Sequence, residues 1–290
     1  MIVDMRLRPP LKSWITKQQY RNDRSEQRYR PTESGYPRPP SAEAHSFDLL
    51  FREMVEAGIQ CGVIMGRQSV EPNGAIPNDE IFECIDQYPD RFVGWAGLDL
   101  SRGPDWWIQE IRRCMKFKGC KGVSIEPTQS IDTSISKADD RRLYAIYEEC
   151  LKLDVPVSIG LSALYQAQQP YMRLEDGNPT QVFRVARDFP QLQIVCSHGG
   201  WPYVADMIAV AFDCPNVWIS PDLYMVPQMP FAHEYVKAAN SLFPDRTLFG
   251  TAYPSRPLRE TVVSYKEWDW KPGVLEKVLY RNARRLMKMD

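Results

Sequence analysis

Histidine is scarce in this chain: 290 residues contain three, His45, His198 and His233. A centre built on several imidazoles, the commonest zinc ligands, is hard to assemble from so few. No C-x-x-C pair occurs. Seven cysteines (positions 61, 84, 114, 120, 150, 196 and 214) are odd in number and scattered, which argues against a disulfide framework. Reduced, mostly buried thiols in a cytoplasm are the expectation. There is no cationic excess: Lys and Arg total 36, Asp and Glu 37. That argues against a nucleic-acid or membrane-surface partner. No apolar run is long enough to span a membrane. The opening Met-Ile-Val-Asp meets charge at once, so no leader peptide is expected. Finally, no Gly-x-Gly-x-x-Gly turn supports a dinucleotide-binding open sheet.

What is present is ordinary globular material, 43% hydrophobic and 25% charged, enough for a core. The length suits one or two domains, or one closed α/β barrel of about 250 residues. Eight short apolar or β-branched runs recur: 2–8, 60–66, 91–99, 120–126, 155–161, 192–198, 216–222 and 247–253. Segments with helical spacing lie among them, at 42–58, 78–87, 105–117, 139–152, 178–188, 201–212, 231–242 and 272–287. Within 139–152, Leu143, Ile146, Tyr147 and Cys150 form an apolar stripe. Pro-Asn-Asp-Glu at 77–80 and Asp-Gly-Asn-Pro at 176–179 offer Asn or Asp to cap helix starts. Strand alternating with helix eight times predicts a (β/α)8 TIM barrel, one domain over 1–290, with an open doubly wound sheet as the alternative. A polar, proline-punctuated stretch at 9–41 interrupts the pattern after strand 1. It reads as a solvated loop with a short helix, or as a lid or oligomer arm over the barrel mouth.

Barrel chemistry sits at the C-terminal ends of strands. Those ends carry Arg6 and Arg8, then Arg67, Asp99, Glu126, Gly160 and Ser162, His198, then Ser220, Asp222 and Tyr224, and last Thr251, Tyr253 and Arg256. Arg6 and Arg8 alternate on one face of a strand. Converging guanidiniums need carboxylates or a bound anion, and a guanidinium fork matches a carboxylate. His198, in Cys-Ser-His-Gly-Gly, has the pKa range of a general acid or base. Its glycines would let backbone approach a ligand. His45 and His233 read as structural or exposed. Cys196 reads as buried and inert, with no second His to activate it.

These residues resemble the amidohydrolase superfamily, specifically its amidohydrolase-2 branch of metal-dependent aromatic-acid decarboxylases and lactone or amide hydrolases. Ile2-Val3-Asp4 with Arg6 and Arg8 is similar to an opening I-I-D-x-H-x-H. Residues 194–200 with Trp201-Pro202 resemble the sixth strand and turn. Residues 248–254 (LFGTAYP) are similar to L-F-G-S-D-Y-P, and 279–286 (LYRNARRL) resemble a closing F-x-x-N-A-x-R-L helix. The resemblance implies a divalent metal on two strand-1 His, further His after strands 5 and 6, and an Asp after strand 8. Here those places hold Arg6, Arg8, Gly160 and Ala252, and His198 is the one match. Glu126 lies near a strand-4 position where some relatives carry a ligand. A catalytic zinc wants about three protein ligands, and His198 with Glu126 supply two. A guanidinium has no lone pair to give. It would also repel a dication by about 8 kcal/mol at 4 Å and an effective dielectric of 20. No catalytic metal or other cofactor is therefore expected.

The leading expectation is a metal-independent hydrolase or lyase, acting on a small anionic carboxylate, aromatic substrates included, by lactone or ester hydrolysis or decarboxylation. Amide hydrolysis fits less well, because it gains most from a metal. Arg6, Arg8, Arg67 and Arg256 would hold the anion, with Tyr224 and Tyr253 lining the pocket. His198 would move the proton, with Glu126 or Asp222 orienting it or acting as second proton-transfer group. The alternatives are an inactive barrel that binds a small molecule or partner, and a metal-dependent hydrolase with a site relocated to His198, Glu126 and Asp222. A homodimer is the symmetry default.

Overall fold

The computed structural model of the protein describes residues 1–20, 36–71, 73–161 and 173–289. Seven strands form one parallel sheet in sequential order: β1 (Ile2–Asp4), β2 (Ile59–Met65), β3 (Phe92–Gly97), β4 (Cys120–Ile125), β5 (Val157–Gly160), β6 (Ile194–Ser197) and β7 (Val217–Ser220). An open doubly wound sheet would reverse its strand order at a switch point; this one never does. The eighth expected run, 247–253, forms no regular strand. It still joins the sheet's ends through parallel bridges Ile219–Thr247 and Leu7–Tyr253, and Met5 N–H donates to Phe249 O at 2.9 Å. Gly250 and the left-handed Ala252 (φ 57°) explain the irregularity, since neither suits a flat strand.

The helices are α1 (Lys12–Ile15), α2 (Pro40–Glu43), α3 (Phe47–Ala57), α4 (Asn78–Gln87), α5 (Pro104–Met115), α6 (Tyr144–Lys152), α7 (Thr180–Asp188), α8 (Val204–Asp213), α9 (Ala232–Ser241), α10 (Leu258–Glu267), α11 (Val274–Glu276) and α12 (Asn282–Leu286). A π turn joins the last two. The α6 stripe faces inward as its spacing predicts: Leu143, Ile146, Tyr147 and Cys150 are fully buried. Asn178 Oδ1 accepts from Thr180 N–H at 2.9 Å, so it caps the start of α7. The expected cap at α4 fails. Asn78 instead turns its amide onto the Gly97 backbone and Glu110. Helix α10 was not anticipated. No helix among the described residues is long and apolar enough to cross a membrane.

Two main layers make the core, with a small third cluster around Leu223, Tyr224 and Ala252. The larger lies between sheet and helices. The smaller sits inside the strands, where Val3, Val63, Val93, Trp95 and Trp218 pack against Leu286 and Met287. All seven cysteines are free, and six are buried. Burial pushes the Cys196 thiol well above its usual range, consistent with an inert role.

Candidate active site

The strand expected over 2–8 stops at Asp4, and the chain bends at Met5 and Arg6. Asp4 makes that bend. Its carboxylate accepts from Arg6 N–H and Thr251 N–H, both at 2.9 Å, and from Thr251 Oγ1 at 2.5 Å. Burial raises the Asp4 pKa, against the pull of the Thr251 bonds. Leu7 packs in the larger core, while Arg6 and Arg8 are buried at 3% and 5% exposure.

Glu126, just past β4, joins two arginines from other strand ends. Arg67 grips it with two bonds, Nη2 to Oε1 and Nε to Oε2, each 2.9 Å. Arg6 Nη2 adds a third at 3.0 Å, and Ser69 Oγ donates to Oε2 at 2.6 Å. Burial alone would raise the carboxyl's pKa. Arg67 and Arg6 outweigh it and hold the group well below the usual carboxylate range. Gly160 makes room for this arrangement, because a Cβ there would lie 3.1 Å from Glu126 Cγ. Arg8 is different. It forms no ion pair among the described residues, and its Nη1 donates to the Ala252 and Tyr253 carbonyls at 2.8 and 3.2 Å. Burial, with Arg6 and Arg67 nearby, pulls its pKa well down. The guanidinium keeps its proton, so that shift expresses a cation short of negative charge.

His198 and Asp222 form the second unit. Asp222 Oδ1 lies 3.0 Å from His198 Nδ1, and its Oδ2 accepts the His198 backbone N–H at 3.2 Å. This fixes the ring and leaves Nε2 as the nitrogen turned away from Asp222. Burial, aided by Arg6, lowers the His198 pKa against the opposing effect of Asp222. Arg6 Nε is 3.9 Å from Asp222 Oδ2, so Arg6 touches both units. Of the two carboxylates expected beside His198, Asp222 takes that place and Glu126 faces the arginines. Backbone conformation supports the placement. His198, Asp222 and Ala252 have φ of 66°, 41° and 57°, followed at the first by Gly199 (58°) and Gly200 (69°). Non-glycine residues there cost on the order of 1–3 kcal/mol each and cluster at functional sites.

The remaining expected residues divide. Tyr224 is buried, edge-on to His198 at 5.9 Å and stacked on Trp201 at 5.1 Å. Tyr253 meets Arg8 through its carbonyl, whereas its hydroxyl pairs with Ser41 Oγ at 2.7 Å. Arg256 is fully buried but joins neither unit. Its Nε reaches Thr261 at 3.4 Å and its guanidinium covers the Tyr36 ring at 4.3 Å. Asp99 caps its own turn through Ser101. Ser162 and residues 21–35 of the insertion lie outside the described residues. His45 and His233 lie on the surface.

The sequence reading missed Asp4 and Ser69 as partners of the site, and it missed the insertion's Trp14. Residues 9–20 pack against the barrel as much as they face solvent: Pro9, Pro10, Leu11, Trp14 and Tyr20 are buried, and Lys12 and Thr16 are exposed. Trp14 is 1% exposed, its ring 5.7 Å from the Arg8 guanidinium and 5.8 Å from that of Arg67. A lone tryptophan amid charged residues was the available signal.

The donor chemistry does not fit a divalent metal. Among the described residues no group of three His, Cys, Asp or Glu side chains is poised to hold one. Glu126 is already saturated by cations and Ser69, and Asp222 by His198 and backbone N–H groups. The relocated trio of His198, Glu126 and Asp222 therefore does not converge either.

Residues 3–288 match the amidohydrolase family, in its second division. The chain is 28% identical to 2-amino-3-carboxymuconate-6-semialdehyde decarboxylase of Dictyostelium discoideum, over 73% of this chain and 66% of that protein. It is 27% identical to 2-keto-4-carboxy-3-hexenedioate hydratase of a Sphingobium species, over 75% and 76%. Among solved structures, an uncharacterised TIM-barrel protein from Bordetella bronchiseptica superposes with a TM-score of 0.88 at 35% identity, covering 99% and 98%.

Proposed function

This chain belongs to the amidohydrolase family, and on that premise we propose that it is a metal-independent enzyme acting on a small carboxylate. The observation that carries this reading is a set of buried donors without acceptors. Among the described residues Arg6 Nε and Arg67 Nη1 have no hydrogen-bond partner, and Arg8 has carbonyls where a carboxylate would serve it better. Each unmet buried donor costs about 1–3 kcal/mol. A carboxylate, which offers acceptors and negative charge together, relieves all of them.

In this reading Arg6, Arg8 and Arg67 hold the substrate and the charge that develops on its oxygen, in a water-poor setting where such contacts are strong. They supply fixed positive charge in place of a dication. Asp222 orients His198 through Nδ1, so Nε2 is the atom that takes or gives the proton. Glu126 keeps Arg6 and Arg67 in position. It stays ionised and is not the second proton-transfer group. The depressed His198 pKa suits a general base that is neutral at pH 7. Lactone or ester hydrolysis and lyase steps, decarboxylation or hydration, need no more than these groups. The names of the two curated relatives, a decarboxylase and a hydratase of carboxylated compounds, support the carboxylate half of the reading. Arg256, which lies on Thr261 and the Tyr36 ring, has no role in this reading.

The test is an assay of lactones and carboxylic acids with protein purified without added metal. Turnover should persist in a chelator, with substoichiometric zinc and manganese by elemental analysis. His198→Asn should lower kcat by about 100-fold or more. A stoichiometric metal whose removal abolishes turnover, or full activity in His198→Asn, overturns the reading.

A further inference from the structure

Eight tryptophans occur in the chain, and the buried ones generally place their indole N–H on an acceptor. Trp95 donates to Met287 Sδ at 3.3 Å, Trp107 to the Asp99 carbonyl at 2.8 Å and Trp218 to Gln193 Oε1 at 2.8 Å. Trp14 and the half-buried Trp268 depart from this, and Trp14 is the one set beside site arginines. Trp14 is among the most completely buried side chains, yet its Nε1 has no partner among the described residues. It is also the tryptophan that lies within 6 Å of two site guanidiniums.

Its position is held from several sides. Ser13 N–H donates to Glu80 Oε1 at 3.1 Å, Lys17 pairs with Glu71 at 2.6 Å and Gln19 bonds Asn73 at 2.8 Å. Tyr20 Oη donates to the carbonyl of Arg8 itself at 2.6 Å. Residues 9–20 are thus fastened to the loop after β2 and to the end of β1, the segments that carry Arg67 and Arg8. Beside the two guanidiniums, Trp14 Nε1, Arg67 Nη1 and Arg6 Nε are donors left without acceptors among the described residues, whereas the unmet acceptors Gln19 Oε1 and Glu80 Oε2 lie on the contacts that fasten the segment. Donors without acceptors call for a ligand rich in acceptor oxygens.

We infer that Trp14 is a substrate-binding residue, its indole N–H donating to the carboxylate that Arg8 and Arg67 hold. The inference rests on the carboxylate reading above and extends it. The insertion supplies one wall of the binding site, and specificity is shared between barrel and insertion. The ring holds its place beside the guanidiniums by cation–π attraction, and the N–H adds a directional contact.

The experiment uses the full chain with 15N-labelled tryptophan, titrated with benzoate and benzene-1,3-dicarboxylate. Binding is followed in parallel by calorimetry. The Trp14 indole signal is the one absent from Trp14→Phe. It should move progressively with saturation, as an N–H gaining an anionic acceptor does. Trp14→Phe keeps a ring beside the arginines but loses the donor, and should weaken binding about tenfold. Trp14→His restores a donor and should recover part of the loss. The wild-type titration stands on its own if either variant folds poorly, because it asks whether any buried indole proton gains an acceptor. Binding that leaves every indole signal in place, with unchanged affinity in Trp14→Phe, overturns the role of Trp14 while the arginine site survives. If neither probe binds the wild type, while Arg8→Gln and Arg67→Gln leave turnover unchanged, both readings fall together.

Discussion

Two clusters fill the space inside the strands, and they are built differently. In the apolar one, Val3, Val63, Val93 and Trp218 pack against Leu286 and Met287, and the indole of Trp95 finds the Met287 sulfur. In the polar one, four charged strand-end residues, Arg6, Arg67, Glu126 and Asp222, are each at most 6% exposed. Its donors are only partly met. Close packing stabilises the first without any ligand. The second gains nothing comparable from its buried ions, because desolvation offsets much of their attraction. On the reading proposed above, the polar cluster is organised for a bound carboxylate, and the apolar one holds the scaffold on which it sits.

Removing the central carboxylate gives the largest expected break in this contrast. Glu126→Gln leaves Arg6 and Arg67 without their shared counter-ion and should destabilise the fold by about 3–5 kcal/mol, read from urea unfolding. Stability unchanged by that variant would mean the two guanidiniums do not depend on Glu126. Next is Met287→Ala on the apolar side, with an expected loss of about 2–3 kcal/mol and no change in carboxylate affinity. A variant that weakened binding as well would couple the two clusters and blur the distinction.

The smallest effect is a slope with pH. His198 has a folded pKa below its ordinary value of about 6.5, so the unfolded chain binds its proton first as pH falls. Its contribution to stability is complete above about pH 6.5 and is lost as pH drops toward the folded value. Glu126 acts in the same sense in a lower window, beneath about pH 4.3. Unfolding free energies of wild type and His198→Asn between pH 7.5 and 5 should converge as pH falls. Parallel curves would show that His198 is not buried as a neutral ring.

Much of the scaffold could be read in advance because its signals are local. Apolar stripes such as that of α6 and β-branched runs such as β2 follow from periodicity within a few residues. The polar residues at strand ends were equally visible, and the structure brings Arg6, Arg67, Glu126, His198 and Asp222 into one connected set. Their pairing was not visible. Glu126 and Asp222 were interchangeable candidates for His198, and only the positions of β4 and β7 around the barrel separate them. Nor were the contacts of Tyr253 and Arg256 visible: the first sends its hydroxyl to Ser41 and the second packs on Tyr36. Trp14 escaped notice because it lies in a short, proline-flanked insertion with no periodic pattern, and only the fold sets it beside Arg8 and Arg67.

Residue order along the chain determined which groups stand at the strand ends, several arginines among them. Backbone periodicity is a short-range property, so alternating strands and helices require nothing beyond near neighbours. Which cation meets which anion, and which donors stay unmet, required the closed sheet. Those contacts join residues 59 and 120 positions apart, and in a buried, low-dielectric site a difference of an ångström or two separates an ion pair from an isolated charge.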